Sequence, residues 1–458
     1  ARALYRGTVW IDRQTFARVK IRAAQTRLSG PVVSNDETQL FSPVGTMSGR
    51  AIVLPVQLRN EQVFLIAGRT VLVERDVHLT DLRLNPDGFE GSRAEARAGN
   101  RVMYRDTSDG VRYLVKRGDT RVVSNELTTS AKAFALGTNI DPSFDLPLPI
   151  GGLNILDFNF LQRDMQFALL FGGVIAAGNI QHPNLWGGKF DASLDFFGFA
   201  LKSNDDLFDQ QGKRAGQRVN RIPLSTGLNV GYQIDPFQKV TARYELKYDA
   251  YFRDASTAAD FVVPHNTVTN GEGVGYEYRR LGYSFAGNAT AYQRVGWSAW
   301  GASDAAGFHP GDRTYLRYDA GLSKDFILAT FHTIHLNGTY FGGSQLDRFS
   351  MYQFGLFDPT RMHGVPSAVR FGELGMVRGS YSFNLFEQYR FDLFLDYAKG
   401  RDPQGDNVWR DVVGTGVRTN FRTPHDTILQ VDAGRSVLPG IYRGAGSFVL
   451  QVLLLKPL

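Results

Sequence analysis

Apolar and polar residues alternate with a period of two over much of the chain after about residue 150. In the clearest run, Lys239 to Phe252, every second position from Val240 to Phe252 is apolar or aromatic, and Thr, Arg, Glu, Lys and Asp lie between them up to Ala250. Successive side chains of a β-strand point to opposite faces, so this alternation predicts strands with one apolar and one polar face. The pattern recurs at 190–196, 316–322, 333–340, 377–385, 389–397 and 429–433.

The length of these runs indicates strands that cross a membrane. Strands of soluble sandwiches usually span about 5–6 residues, whereas a tilted membrane-crossing strand needs about 9–11, and many runs here are longer than that. Hydrocarbon leaves no partner for an open strand edge, so the series must close into an antiparallel barrel with a polar interior. Aromatic residues at the ends of runs are expected at the two membrane interfaces: Tyr248, Tyr251, Phe252, Trp297 and Trp300.

Delimiting the runs gives fourteen strands, at 152–161, 165–178, 189–201, 222–235, 238–252, 271–281, 283–300, 313–325, 328–342, 373–385, 388–399, 410–420, 426–436 and 446–456. The intervals 202–221 and 253–270 are each a long loop or hide a further strand, which leaves fourteen to sixteen. Long connections are also expected at 300–312 and 343–372. They alternate with short turns such as Asp235–Gln238, as in single-chain bacterial barrels.

A change of composition near residue 140 predicts two domains. Residues 140–152 contain three Pro and two Gly, which is typical of a linker. Before them, short runs rich in Val, Ile and Thr predict a β-rich domain, with Ser92 to Arg101 as the best helical candidate. We therefore expect a β-rich domain at 1–140, a linker at 141–151 and a barrel at 152–458.

Composition excludes several classes of protein. The 458 residues include no Cys, and no apolar run approaches the roughly 20 residues of a membrane-spanning helix. The net charge of +6 arises mostly from residues 1–150, which hold 21 Lys and Arg against 16 Asp and Glu. These basic residues stand singly between apolar ones, so a solvated strand face is favoured over nucleic-acid binding. Because Ala1 lies almost within a strand-like run, we expect a mature or truncated product.

Candidate motifs for catalysis or for metal and cofactor binding are weak. His332 and His335 would lie on opposite faces of a strand, and the glycines of GEGVGY (271–276) do not open a helix. No G-x-S-x-G motif occurs, since residues 282–286 read GYSFA. Asp191 and Asp195 share one strand face, as expected of a polar lumen. We predict no catalytic residues, no metal and no cofactor, and hence no enzyme.

The last third of the chain resembles a known family of barrels. The stretch from about Thr339 to Leu458 contains TYFGGSQLDRFSMYQFGLFDPTRMHGVPS, GMVRGSYSFNLFEQYRFDLFLDYAKG and GTGVRTNFRTPHDTILQVDAG. It is similar to the outer-membrane assembly and two-partner-secretion β-barrel superfamily of the BamA and TamA type, and more weakly so from Gly152. The resemblance implies sixteen strands, the outer membrane of a Gram-negative-type bacterium, a periplasmic N-terminal domain, and insertion or passage of outer-membrane or secreted polypeptides.

The resemblance also implies a lock between a loop and the barrel wall. In the family, an Arg at the tip of the long inward-folding loop pairs in the lumen with the Asp of an F-x-D-x-G strand. Asp396 matches that Asp and Gly364 matches the tip Gly, but His363 stands at the tip Arg position. Either His363 itself or Arg361, two residues away, is expected to supply the donor that pairs with Asp396. The literal V-R-G at 377–379 falls within a strand and is not taken as the motif.

A weak seam between the first strand (152–161) and the last (446–456) would admit client strands by edge pairing. The last strand is apolar on both faces, and its seam candidates are Phe448, Leu450, Val452 and Leu454.

Two alternatives remain open. Members of the family usually carry polypeptide-transport repeats of β-α-α-β-β type before the barrel. Residues 1–140 lack the helical periodicity that such repeats require, and the tip Arg is also absent. Both features suit a passive channel or a structural barrel within a larger envelope complex. The stretch RGTVWIDRQTFARVKI (6–21) resembles the carboxy-terminal sheet of lipoprotein-carrier-like domains, which implies lipid or lipoprotein handling. Expected partners are outer-membrane lipid and client polypeptides or other envelope proteins.

Overall fold

The computed structural model of the chain describes residues 5–25, 32–66, 69–84, 86–99, 103–107, 110–118, 120–123, 130–142, 144–163, 165–186, 189–209, 212–235, 237–280, 282–302, 312–329, 332–354, 360–366, 369–385, 388–402, 407–423, 427–437 and 448–458. The chain divides into two units, Ala1–Thr129 and Ser130–Leu458. Among the described residues, no helix is long and apolar enough to cross a membrane.

The N-terminal unit contains two antiparallel sheets and a short helix. The first sheet has its strands in chain order: β1 (Tyr5–Ile11), β2 (Arg18–Gln25), β3 (Val32–Met47), β4 (Arg50–Ile66) and β5 (Arg69–His78). Helix α1 (Phe89–Ala98) follows, then a three-stranded sheet of β6 (Tyr104–Thr107), β7 (Gly110–Arg117) and β8 (Thr120–Val123). The helix begins three residues before the predicted one and ends where Gly99 adopts an extended conformation.

The second unit is a closed antiparallel barrel of sixteen strands. Its elements are β9 (Ser130–Ile140), β10 (Leu148–Phe160), β11 (Met165–Phe171), β12 (Ile175–Leu185), β13 (Phe190–Phe199), β14 (Ser203–Asp205), β15 (Phe208–Asp209), β16 (Gly212–Lys213), β17 (Val219–Asp235), β18 (Gln238–Arg253), β19 (Thr267–Arg280), β20 (Tyr283–Val295), β21 (Thr314–Ala329), β22 (His332–Ser344), β23 (Tyr352–Gln353), β24 (Arg370–Phe371), β25 (Glu373–Leu385), β26 (Tyr389–Arg401), β27 (Arg410–Arg422), β28 (Ile428–Ser436) and β29 (Phe448–Pro457).

The barrel wall consists of β9–β13, β17–β22 and β25–β29, while β14 pairs with the start of β17. The ring closes where β29 pairs with β9, from Leu450 opposite Ile140 to Pro457 opposite Ala133. Short turns join the strands at one end, which we call the short-turn end, and most of the long connections lie at the other, the long-connection end. β9 begins and β29 finishes at the short-turn end.

Side chains in the wall alternate between an apolar exterior and a polar interior. On β26, Leu393, Leu395 and Tyr397 point outward and are 43–62% exposed, whereas Asp392 and Asp396 point inward and are 4% and 0% exposed. This arrangement confirms the all-β fold and the barrel with an apolar outer face expected from the period-two pattern.

The expected domain boundary is wrong. Residues 130–140 form β9, so the first barrel strand precedes the proposed linker, and the strand expected at 152–161 is the second, β10. The inward positions of β9 include Ala135 and Gly137, so the run lacks the contrast of polar and apolar residues that marks the other strands. The Pro-containing segment 141–147 is a connection within the barrel.

The two strands missing from the count of fourteen are β9 and β12. The run expected at 165–178 spans β11 and the start of β12, which are joined by a turn of three residues at 172–174. In their described residues, the two intervals suspected of hiding a strand hold no additional wall strand. Interval 202–221 contains the short β14, β15 and β16 and the start of β17, and 253–270 contains the end of β18, a connection and the start of β19.

Candidate functional site: a loop docked inside the barrel

The described residues of the connection between β22 and β25, 345–354, 360–366 and 369–372, fold into the barrel lumen; we call them the plug. Almost all of its described residues are buried, charged ones included: Asp347 is 1% exposed, and Arg348 and Arg370 are each 4% exposed. Strands β23 and β24 pair with each other within it. Buried charges are stable only when they are paired, so the contacts of the plug with the wall determine where it docks.

The tip of the plug is held by Asp396 of β26. One oxygen of this carboxylate, Oδ2, accepts a hydrogen bond from the backbone N–H of His363 at 2.9 Å and lies 2.8 Å from Nδ1 of the same residue. The imidazole ring also stacks on Phe394 at a centroid distance of 4.0 Å. The structure thus brings together His363 and Asp396, two of the residues singled out in the sequence.

Glycines in the wall make room for the tip. A Cβ atom at Gly414 would lie 2.2 Å from the carbonyl oxygen of His363, and one at Gly434 would lie 2.5 Å from the backbone nitrogen of Gly364. At Gly416, a Cβ would come within 2.7 Å of the His363 ring. Gly364 itself has φ +74° and is packed against Arg435 backbone. The tip therefore fits only against a wall that lacks side chains at these positions.

Arg361 does not take the place of the family's tip Arg. Its Nη2 lies 3.2 Å from Asp432 of β28, a carboxylate that also binds Arg418 at 2.6 Å. Burial lowers the pKa of Arg361 below its usual value, and the negative charge of Asp432 opposes this effect. Of the two donors expected for Asp396, His363 makes the contact, whereas Arg361 reaches the neighbouring inward carboxylate, Asp432.

Arg378, set aside in the sequence because it falls within a strand, does belong to the site. It lies directly opposite Asp396 in the β25–β26 register, its Nε is 3.9 Å from Asp396 Oδ1, and its guanidinium donates to the carbonyl of Arg361. Arg390, on the same face of β26 as Asp396, pairs with Asp392 at 2.9 Å.

A second set of contacts holds the base of the plug, which comprises residues 347–349 and Arg370, against β20 and β14. Arg294 of β20 makes two hydrogen bonds to Asp347, of 2.6 and 2.8 Å, and both side chains are 2% exposed. Asp205 of β14 binds Arg348 at 2.7 Å and Arg370 at 2.6 Å. No sequence pattern indicates these pairs, because Arg294 lies 53 residues from Asp347 and Asp205 lies 143 residues from Arg348.

An aromatic cluster beside these ion pairs encloses Phe349 of the plug. Its ring makes edge contacts with the rings of Tyr251, Trp300 and Trp297, at centroid distances of 4.9, 4.8 and 6.1 Å respectively. The two tryptophans are 2% and 3% exposed and Tyr251 is 7% exposed. These three residues were expected at a membrane interface; they lie inside because the plug gives large aromatic side chains a surface to pack against.

A cavity of about 450 Å³ remains between the plug and the wall formed by β13, β17, β18 and β21. Phe197, Phe199 and Leu148 line one part, and Arg221, Lys247 and Arg317 line another. The plug therefore does not fill the lumen completely.

The seam candidates lie on the closing strand, β29. Leu450, Val452 and Leu454 fall within its pairing with β9, and Phe448, just before that pairing, is 45% exposed. The partner of the last strand is thus 130–140, not 152–161 as expected. The seam role of these residues remains a prediction.

The other motifs take structural places. His332 is bonded to Tyr381 and His335 to Asp325, each at 2.6 Å, on opposite faces of β22. Asp191 binds Lys239 at 2.9 Å, and Asp195 accepts a hydrogen bond from Asn229 at 2.6 Å. The glycines of GEGVGY lie within β19.

Comparisons with known proteins give structural similarity without sequence similarity. No protein-family model matches the chain, and no curated protein matches its sequence. Among solved structures, CdiB from Escherichia coli aligns with a TM-score of 0.52 at 11% identity, covering 79% of this chain and 68% of its own. CdiB from Acinetobacter baumannii aligns with a TM-score of 0.49 at 11% identity, covering 78% of this chain and 66% of its own. BamA from Haemophilus ducreyi lacking POTRA domains 1–3 aligns with a TM-score of 0.47 at 10% identity, covering 80% of this chain and 77% of its own. At such low identity, what the chain shares with CdiB from Escherichia coli is the barrel fold.

Proposed function

We propose that the chain is an outer-membrane barrel that inserts or passes outer-membrane or secreted polypeptides, with its N-terminal unit in the periplasm. The observation that carries this proposal is the plug, anchored at its base by buried ion pairs and at its tip by the contacts of His363 with Asp396. An anchored segment of this kind obstructs steady passage through the lumen, whereas a permanently open pore has a water-filled interior. A gated barrel, in contrast, needs a segment that closes the lumen and that can be released. The resemblance of residues 339–458 to assembly and secretion barrels supports the same conclusion.

The apolar exterior supports the membrane part of the proposal. Outward residues such as Leu395, 62% exposed, and Val377, 56% exposed, would meet water if the barrel were soluble. Burial of this apolar surface in lipid stabilises the barrel in a membrane by about 25 cal/mol per Å². A single-chain barrel of this type belongs in an outer membrane.

We further propose that clients enter at the β9–β29 pairing. A disulfide across it, formed in the Thr138→Cys/Val452→Cys variant, should abolish client insertion, because these residues face each other in the register and the chain has no other Cys. The measurement is the rate at which a urea-unfolded eight-stranded barrel protein folds into liposomes containing the chain, before and after reduction. Reduction should restore the rate.

The matched control places a disulfide between two interior wall strands in the Val230→Cys/Ala242→Cys variant, across β17 and β18. This variant should insert clients in both redox states. Equal activity of the oxidised seam variant would refute entry at β9–β29. If the wild-type chain does not accelerate client folding and conducts a steady current, the passive-channel alternative is correct.

A further inference from the structure

Two adjacent carboxylates, Asp205 and Asp206, contact different parts of the barrel. Asp205 binds the plug: its Oδ1 accepts from Arg348 at 2.7 Å and lies 2.6 Å from Arg370, and its backbone carbonyl accepts a further bond from Arg348. Asp205, Arg348 and Arg370 are each at most 4% exposed. The position of β14 is therefore tied to the base of the plug.

Asp206 binds away from the plug with its side chain. Its two oxygens accept from Arg218 at 2.8 and 3.1 Å, and Lys213 lies 2.8 Å away. Both partners belong to the same connection between β13 and β17. Successive side chains in extended backbone point in opposite directions, which explains why neighbouring carboxylates serve different partners.

Arg218 joins this connection to two others at the long-connection end. Its Nη1 lies 3.3 Å from Asp145, between β9 and β10, and its carbonyl accepts a 2.6 Å hydrogen bond from Thr257, between β18 and β19. The Asp145 side chain is 70% exposed and that of Lys213 is 39% exposed. Two groups of ion pairs, joined by the backbone between Asp205 and Asp206, thus link the exposed connections to the buried base of the plug.

We propose that Asp205 and Asp206 form a coupling element through which a displacement of the connections at the long-connection end releases the base of the plug. The physical reason is that β14 is short: it forms three register pairs, all with β17, so its side-chain ion pairs determine where it sits. Loss of the Asp206 contacts frees β14 and with it Asp205. This coupling regulates the plug on which the proposed function rests, but it does not require that the clients are polypeptides.

A cysteine reporter on the plug tests the proposal without any client. The Met351→Cys variant places a thiol on a buried plug residue, 5% exposed, in a chain that otherwise lacks Cys. The rate of its reaction with a water-soluble maleimide is measured in lipid nanodiscs. Adding Asp206→Asn should raise this rate about tenfold, the effect of weakening one charge-assisted hydrogen-bonded contact, although the Asp206 side chain does not bond to the plug.

A double-mutant comparison distinguishes coupling from general loosening. Asp205→Asn should raise the labelling rate at least as much as Asp206→Asn, and the double variant should match Asp205→Asn alone, because the two residues act in series. Asp191→Asn, which removes a carboxylate bonded to Lys239 near the short-turn end, should leave the rate unchanged.

An unchanged rate in Asp206→Asn, or effects that multiply in the double variant, would overturn the coupling. Resistance of the folded barrel to unheated SDS shows that each variant is folded. If labelling responds as expected but client insertion is absent, the proposed function fails while the coupling element stands.

Discussion

Asp396→Ala should open the barrel. In liposomes, the wild-type chain should show low, flickering ion conductance, and the variant should show frequent large openings. The substitution removes both bonds to His363 and leaves the buried backbone N–H of the tip without its acceptor. Loss of charge-assisted bonds of this kind costs about 3 kcal/mol, which shifts the docking equilibrium of the plug roughly a hundredfold toward release.

Asp392→Ala is the matched control for this experiment. Asp392 lies on the same inward face of β26 and is also buried, but its bonds go to Arg390 and Ser382 in the wall, not to the plug. Its conductance should resemble that of the wild type. A steady open pore in the wild type that Asp396→Ala leaves unchanged would disprove the lock and favour a passive channel.

Gly434→Ala should expel the tip of the plug while the wall stays intact. The added Cβ would lie 2.5 Å from the backbone nitrogen of Gly364 and 2.9 Å from the Cβ of His363, and backbone cannot turn aside as a side chain can. Overpacking costs about 1–3 kcal/mol, so labelling of a Val365→Cys reporter, 4% exposed in the docked plug, should accelerate roughly tenfold or more.

Gly338→Ala is the corresponding control, because a Cβ at Gly338 of β22 meets no atom within 4 Å. Its reporter should react at the wild-type rate, and both alanine variants should retain the folded barrel, since Ala in a strand costs less conformational entropy than Gly. Equal labelling in Gly434→Ala and Gly338→Ala would show that the tip does not dock against β28.

Strand prediction succeeded where polar and apolar residues alternate strongly. The run predicted at 238–252 is β18, Gln238–Arg253, and the one predicted at 373–385 has the bounds of β25. The run predicted at 283–300 is longer than β20, which ends at Val295 because Gly296 takes φ +75° and turns the chain. Strand β9 was not predicted because its inward residues, such as Ala135 and Gly137, are small and not polar, so the run shows no alternation of polar and apolar residues.

The candidate site could be predicted from the sequence only in part. Asp396, His363 and Gly364 came from a resemblance in sequence, and the structure places His363 in contact with Asp396 and Gly364 against Gly434 and Arg435. The sequence could not show which of the two expected donors, His363 or Arg361, reaches Asp396. Asp396 and Asp432 lie 36 positions apart in the sequence and become neighbours only through the pairing of β26, β27 and β28.

The sequence by itself determined that most of the chain after residue 150 forms amphipathic strands and that these strands close into a barrel, because a period of two and the absence of edge partners in lipid are local or general constraints. Only the tertiary structure decided which strand meets β29, where Trp297 and Trp300 are buried, and which carboxylates hold the plug. Some of those contacts join residues more than 300 positions apart, and a pattern along the chain carries no information about such distances.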